Sequence, residues 1–264
     1  MNHRPRRRFS QNFLVDHAVI DRMVAAIDPQ PGQLFIEIGP GRGALTLPVL
    51  AAGAQLCAIE IDRDLAAALE RTAAAAGRLQ VVCADALGED FAARAGDRPF
   101  RLLGNLPYHI STPLLFHALA QRPPPQDIHF LLQQEVVERL AAEPGGREYG
   151  RLSVSCQNLC RVTPLFTVGP QAFQPEPAVD SAFVRLEPRA EPISGHALQA
   201  RLEQVVRAGF AQRRKTLRNS LGRLLEPGQI QRAGVDPGLR AEQLRLEDFI
   251  ALAARLPAAR SDAG

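Results

Sequence analysis

The sequence has few of the features that mark membrane, secreted and metal-cluster proteins. No apolar run approaches the roughly 20 residues needed to cross a bilayer, and the charged N-terminus lacks the apolar segment of a secretory signal. The cysteines lack the spacing of a metal cluster; they are Cys57, Cys83, Cys156 and Cys160. We therefore expect no membrane span, no secretory signal and no metal site, with the reducing cytoplasm as the location.

Lysine is almost absent, because Lys215 is the single lysine among 31 Lys and Arg residues. The net charge is only +3, but the pI is about 8.9 and the basic residues cluster. One cluster lies in the N-terminal arm, residues 1–11, and another contains Arg213, Arg214, Lys215 and Arg218. Such clusters suit the phosphates of a nucleic acid backbone, although a solvated arm or helix face has the same composition.

The first two thirds of the chain alternate short apolar runs with helical patterns. This order predicts a parallel sheet with helices on both faces. The predicted strands are 34–38, 55–59, 79–83, 100–103, 128–132, 162–168 and 182–186. From about residue 196 the pattern is entirely helical, so we expect an α/β domain over 1–190 and a small helical domain over 191–264.

A glycine-rich turn, Gly-Pro-Gly-Arg-Gly, follows the strand 34–38 and includes Gly39 and Gly41. Its glycines let a ligand approach the backbone, and the next helix offers free N–H groups. Glu60 ends the second strand about 20 residues later, where an acid can bind ribose hydroxyls. Asp85 ends the third, where an acid can accept a hydrogen bond from a cofactor adenine. A nucleotide cofactor is therefore expected. A dinucleotide oxidoreductase stays an alternative at this point, since Gly39, Gly41 and Ala44 fit a permissive form of the dinucleotide-binding fingerprint.

The segment Asn105, Leu106, Pro107 and Tyr108 follows the fourth strand. Asn105 offers an amide oxygen, and Pro107 favours an extended Leu106 whose carbonyl can point into a pocket. Tyr108 adds a ring that can stack on a base. Two acceptors would hold an exocyclic amino group with its lone pair aimed at an electrophilic methyl. Such a segment has no role in hydride transfer. Glu37 lies two residues before the glycines, where methyltransferases commonly have an acid. We therefore interpret the segment from Asn105 to Tyr108 as catalytic.

A proline-rich segment over 173–181 begins with Phe173. Its prolines forbid helix and ladder pairing. We therefore expect a rigid loop that holds the Phe173 ring outward, with a buried anchoring ring as the alternative.

The chain resembles the ribosomal RNA adenine-N6,N6-dimethyltransferase family. The matching pieces recur in family order across nearly the whole chain, at 11–14, 37–46, 60–62, 85–86, 105–111, 149–153, 173–181 and 210–221. The resemblance implies a Rossmann-like, seven-stranded class I methyltransferase domain with a small all-helical C-terminal domain. It also implies S-adenosylmethionine as the methyl donor and two adjacent adenines near the 3′ end of 16S ribosomal RNA as targets.

The resemblance also implies roles for single residues. Cofactor contacts come from Asn12, Leu14, Gly39, Glu60, Asp85 and Asn105, and the glycine turn adds Gly41. Tyr108 and Phe173 hold the flipped adenine, and the basic cluster from Arg213 to Arg218 contacts the RNA backbone. The partner is the small ribosomal subunit with its 16S ribosomal RNA, and we expect a monomer when the protein is free.

Two other functions stay open within this resemblance. The antibiotic-resistance branch methylates an adenine of large-subunit RNA, but there Ile commonly replaces Leu106, Pro40 is typically absent and the 149–153 pattern tends to be missing. The other open function is that of a ribosome-assembly factor that gains little from catalysis. An intact segment from Asn105 to Tyr108 argues that chemistry is retained.

Overall fold

The computed structural model describes residues 12–73, 77–96 and 98–257. The predicted basic arm, residues 1–11, lies outside them. The chain divides into two compact units: one holds the described residues up to Val137 together with Arg161–Pro188, and the other holds Glu138–Cys160 and the described residues from Arg189.

The first unit is built on a seven-stranded sheet. Its strands and helices are β1 Phe13–Leu14, α1 His17–Ile27, β2 Leu34–Ile38, α2 Thr46–Ala51, β3 Gln55–Glu60, α3 Arg63–Ala73, β4 Leu79–Cys83, α4 Phe91–Ala95, β5 Phe100–Asn105, α5 Ser111–Leu119, β6 Ile128–Gln133, α6 Gln134–Ala141 (which runs into the second unit), and, after α7, β7 Cys160–Val168, β8 Phe173–Gln174 and β9 Ser181–Pro188. The sheet order is β4-β3-β2-β5-β6-β9-β7, and β1 pairs separately with β8.

Strands β4, β3, β2, β5 and β6 are parallel neighbours, whereas β9 runs antiparallel to β6. The carboxyl ends of the parallel strands therefore meet at one edge. Because β9 is reversed, its first residue, Ser181, lies opposite Gln133 at that same edge. Open α/β sheets bind ligands at this edge, and all seven strands predicted from the sequence are present.

The strands read as continuous apolar runs because helices cover both faces of the sheet. Phe35 and Ile36 of β2 and Leu102 and Leu103 of β5 are all fully buried. At the start of α1, Asp16 is the N-cap and accepts hydrogen bonds from the N–H groups of Ala18 and Val19.

The second unit is helical, with α7 Arg151–Leu159, α8 His196–Phe210, α9 Leu217–Ser220, α10 Pro227–Arg232 and α11 Leu246–Ala253. Helix α7 was not predicted. It packs here because Tyr149 and Val154 join the core of the C-terminal helices, and the Tyr149 hydroxyl donates to the Leu244 carbonyl at 2.9 Å. The break near residue 190 is present, but residues 138–160, which the expected boundaries placed in the α/β domain, belong with the helices.

Within the described ranges, no helix combines the length and apolar character that a bilayer crossing requires.

Candidate active site at the carboxyl edge of the sheet

One open cleft in the first unit brings together the residues predicted to contact the cofactor and the base. It encloses about 1090 Å³ of empty space, its open mouth included. The predicted residues that line it are Asn12, Leu14, Gly39, Gly41, Glu60, Asp85, Asn105, Leu106, Pro107, Tyr108 and Phe173. They come from six separate stretches of chain, which the fold brings together in this cleft.

The glycine turn after β2 is held by the carboxylate of Glu60. Gly41 donates its N–H to Glu60 Oε2 at 3.0 Å, and the N–H of Asp62 donates to Oε1 at 2.9 Å. Gly41 has a φ of 57°, and a Cβ there would lie 3.2 Å from the Phe13 ring, so glycine is required. Glu60 is only 4% exposed, and burial raises its pKa although both N–H groups oppose the shift. Its oxygens keep further lone pairs that could accept ribose hydroxyls.

Glu37 is a second buried carboxyl group in the cleft, only 2% exposed. Burial raises its pKa to about 8, with repulsion from Glu60 as a smaller cause, whereas a 2.6 Å hydrogen bond donated by the Thr46 hydroxyl opposes the shift. Two buried carboxyl groups favour a positively charged ligand. From the sequence, Glu37 indicated a methyltransferase but was not predicted as a site residue. The available signal was an acid inside an apolar strand.

Asn105 ends β5 with its side chain half-buried in the cleft. Its Nδ2 donates to the backbone carbonyl of Asn12 at 3.0 Å, which fixes the amide and leaves Oδ1 as its acceptor. The N–H of Leu106 donates to the Leu131 carbonyl at 3.2 Å, and no described residue donates a hydrogen bond to the Leu106 carbonyl. Two acceptors are therefore available on adjacent residues that line the cleft.

Tyr108 is half-buried and tied to its surroundings at both ends. Its hydroxyl lies 2.8 Å from the Ser181 hydroxyl, and its carbonyl accepts a hydrogen bond from the Ser111 hydroxyl at 3.0 Å. Burial raises the pKa of Tyr108, so the phenol is neutral at neutral pH. Ile110 takes the N-cap position of α5, and the neighbouring Ser111 hydroxyl is directed to Tyr108.

The prediction that a rigid loop holds the Phe173 ring outward is wrong. Phe173 is 3% exposed, belongs to the main apolar core and pairs with Leu14 in the β1–β8 ladder. Pro175 follows the two-residue ladder, so it leaves Phe173 free to pair. Phe173 still forms part of the cleft wall.

Asp85 is exposed at the end of the cleft beyond β4. Its Oδ1 accepts a hydrogen bond from the N–H of Leu87 at 3.0 Å and caps a short 3-10 turn. The other carboxylate oxygen keeps its acceptor capacity for a ligand.

The basic cluster lies in the second unit and divides into two parts. Arg213 donates to the carbonyls of Arg147, at 2.6 Å, and Tyr149, at 3.4 Å, and lies 3.7 Å from Glu242. The other three basic side chains are exposed, with no hydrogen bond or ion pair to described residues; they are Arg214, Lys215 and Arg218.

The sheet order, the glycine turn closed by Glu60 and the segment from Asn105 to Tyr108 together define an S-adenosylmethionine-dependent methyltransferase of Rossmann-like fold. The profile of the family described as ribosomal RNA adenine dimethylase matches residues 2–257. The chain belongs to this family.

Curated relatives are similar along almost their whole length. The Ribosomal RNA small subunit methyltransferase A of Xanthomonas campestris pv. campestris (strain B100) is 53% identical over 248 residues, which cover 94% of this chain and 95% of that protein. The protein of the same name from Xanthomonas oryzae pv. oryzae (strain PXO99A) is 52% identical over 254 residues, covering 96% and 97%.

Two crystal structures share the fold over more than nine tenths of the chain. The 23S rRNA methyltransferase ErmE is 29% identical with a TM-score of 0.74, covering 93% of this chain and 99% of that one. A dimethyladenosine transferase from Plasmodium falciparum is 24% identical with a TM-score of 0.77, covering 91% and 95%. These likenesses confirm the seven-stranded methyltransferase fold with its helical C-terminal region.

Proposed function

We propose that this chain transfers methyl groups from S-adenosylmethionine to the N6 amino groups of two adjacent adenines near the 3′ end of 16S ribosomal RNA. The product is N6,N6-dimethyladenosine, formed during small-subunit biogenesis. The observation that carries the proposal is the pair of free acceptors on Asn105 and Leu106, which lies in one cleft with the glycine turn and Glu60. Relatives at 52–53% identity that are named small-subunit methyltransferases support the choice of RNA.

The residues of the cleft fit S-adenosylmethionine, whose sulfonium makes it a cation and supplies an electrophilic methyl. Two buried carboxyl groups, Glu37 and Glu60, suit that charge. Glu60 would bind the ribose hydroxyls and Asp85 the amino group of the cofactor adenine. The backbone and side chains around the glycine turn would hold the remainder, with contacts from Asn12, Leu14, Gly39, Gly41 and Asn105.

The target adenine must leave its stack, because its amino nitrogen has to lie in line with the methyl group. Asn105 Oδ1 and the Leu106 carbonyl would accept its two N–H bonds and favour a pyramidal nitrogen with an exposed lone pair. No general base is needed, because the methylated nitrogen becomes acidic and can lose its proton to water. After one transfer a single N–H remains, so one acceptor bond survives and a second methylation is feasible.

Tyr108 would stack on the flipped adenine, with the edge of Phe173 in the cleft wall on the far side. Stacking on an aromatic ring contributes about 1–3 kcal/mol per base. Since Phe173 is buried in the core, we assign it a shaping contact and Tyr108 the main stacking surface.

The exposed cations Arg214, Lys215 and Arg218 would contact backbone phosphates, which position RNA without reading its sequence. Arg213 would hold the loop around Arg147 in place and contribute less directly. This assigns RNA binding to the helical unit and chemistry to the α/β unit. Tyr149, in the 149–153 pattern that the large-subunit branch tends to lack, is part of the helical core.

We further propose that the partner is the small ribosomal subunit, that the free protein is a monomer and that it acts in the cytoplasm. An assembly role is compatible with this chemistry, but the intact acceptor pair favours an active enzyme.

The test is transfer of labelled methyl groups to purified small and large subunits that lack the modification. We expect label in the small subunit only, with Asn105→Ala as the matched inactive control. Label in large-subunit RNA would favour the resistance branch. No label, together with tight binding to small subunits, would favour a non-catalytic assembly factor.

A further inference from the structure

Ser181 contacts a residue of the cleft, Tyr108, and the sequence-based site did not include it. It lies at the start of β9, is 1% exposed and pairs through its backbone with Gln133 of β6. Because β9 runs antiparallel, its first residue lies at the edge where the parallel strands end. Ser181 is therefore brought next to the cleft by a strand that runs antiparallel to its neighbour β6.

The hydroxyl of Ser181 lies 2.8 Å from the hydroxyl of Tyr108. No other hydrogen bond to the Ser181 side chain is present among the described residues. Tyr108 follows the end of β5 by three residues, so this bond reaches from the loop after β5, past β6, to β9. Among the described residues it is the hydrogen bond that holds the hydroxyl end of the ring, since Ser111 holds the Tyr108 backbone.

We propose that Ser181 is a positioning residue for methyl transfer: its hydroxyl fixes the plane of the Tyr108 ring on which the target adenine stacks. The inference rests on the proposed function. A stacked base follows the tilt of its platform, and misplacement of a reacting atom by about 1 Å can cost a factor of about 10² in rate. Restraining the phenol from β9 keeps the amino nitrogen of the adenine in line with the methyl group.

The first experiment is a double-mutant cycle with Ser181→Ala and Tyr108→Phe, measured by single-turnover methylation of unmethylated small subunits. Each single variant removes the same bond, so each should lower the rate by about tenfold, which corresponds to 1.4 kcal/mol. The double variant should be no slower than either. KM for the subunit and the affinity for S-adenosylmethionine should stay within about twofold, since neither variant removes a proposed cofactor or phosphate contact.

Ser194→Ala is the matched control. Ser194 is also buried, and among the described residues its hydroxyl donates only to the neighbouring Gly195 carbonyl in the helical unit. It should methylate at the parent rate.

A second readout separates positioning from a merely structural role. The chain has two tyrosines and no tryptophan, so Tyr149→Phe leaves Tyr108 as the single phenol. The Ser181 bond lowers the pKa of Tyr108 against burial and the nearby Asp180 carboxylate, which raise it. In this background Ser181→Ala should shift the absorbance titration of Tyr108 to higher pH, whereas loosened packing alone would reduce the burial of the phenol and shift the titration to lower pH.

Additive effects in the double variant, or an unchanged Tyr108 titration, would overturn the assignment. A parent rate in Ser181→Ala would do the same while leaving the proposed function intact. If the parent chain itself fails to methylate small subunits, the proposed function fails instead.

Discussion

Asn105→Ala should lower the rate of methyl transfer far more than it weakens binding of either substrate. The change removes the acceptor Oδ1 and also the 3.0 Å hydrogen bond from Nδ2 to the Asn12 carbonyl. Loss of one preorganised hydrogen-bonding group in a transition state costs roughly 10²–10³-fold in kcat, about 3–4 kcal/mol. Loss of the neutral bond to Asn12 costs about 1 kcal/mol, so the affinity for S-adenosylmethionine should fall about fivefold.

Asn105→Asp separates the two contributions, because it keeps an acceptor in place but removes the donor. Two oxygens would then face each other where the N···O distance is now 3.0 Å, so the bond to Asn12 is lost. We expect its cofactor affinity to match that of Asn105→Ala, or to fall below it, while its methylation rate lies between those of Asn105→Ala and the parent.

The assay is single-turnover methylation of small subunits at saturating cofactor, with calorimetry for cofactor binding and filter binding for RNA. RNA affinity should stay within about twofold, because phosphate contacts come from the helical unit. A near-parent rate in Asn105→Ala would refute the acceptor mechanism. Equal rates in Asn105→Ala and Asn105→Asp would mean that Asn105 acts only by holding the Asn12 segment.

Three further predictions concern charge. Burial raises the pKa of Glu37 to about 8, and a cationic ligand stabilises its charged form. Binding of S-adenosylmethionine at pH 7 should therefore release close to one proton. Calorimetry in buffers of different ionisation enthalpy should detect this release, and Glu37→Gln should abolish it. Burial lowers the pKa of His129 from 6.5 to about 4, so this residue should remove about 3 kcal/mol of the free energy of unfolding as pH falls from 6.5 to 4. Urea titrations should show a smaller acid loss in His129→Phe, and an equal loss would contradict the assignment. Arg214→Ala should reduce the salt slope of RNA binding by about 0.7–0.9. Arg213→Ala should instead lower the stability of the helical unit. Equal reductions of the salt slope in the two variants would contradict the assignment of phosphate contact to Arg214 and a structural role to Arg213.

The fold was largely predictable because its signals are local. Each parallel strand is a mostly apolar run of five or six residues, and Asp16 and the glycine turn mark where helices begin. Helix α7 was missed because its stability comes from tertiary contacts of Tyr149 and Val154, which have no local signature.

The site was predictable where residues follow strand ends along the chain. Glu60, Asp85 and Asn105 were predicted in this way, since the ends of parallel strands share an edge. Ser181 was missed because it begins a strand, and only the antiparallel direction of β9 brings it to that edge. The position of Phe173 was predicted wrongly, because Pro175 follows strand β8 and does not prevent Phe173 from pairing with β1.

The methylated bases can be located by base-resolved mass spectrometry of 16S ribosomal RNA after reaction of unmethylated small subunits with the purified chain and S-adenosylmethionine. We expect N6,N6-dimethyladenosine at two adjacent positions near the 3′ end, and unmodified adenines with Asn105→Ala. Unmodified adenines with the parent chain, or methyl groups on any atom other than N6, would contradict the proposed function.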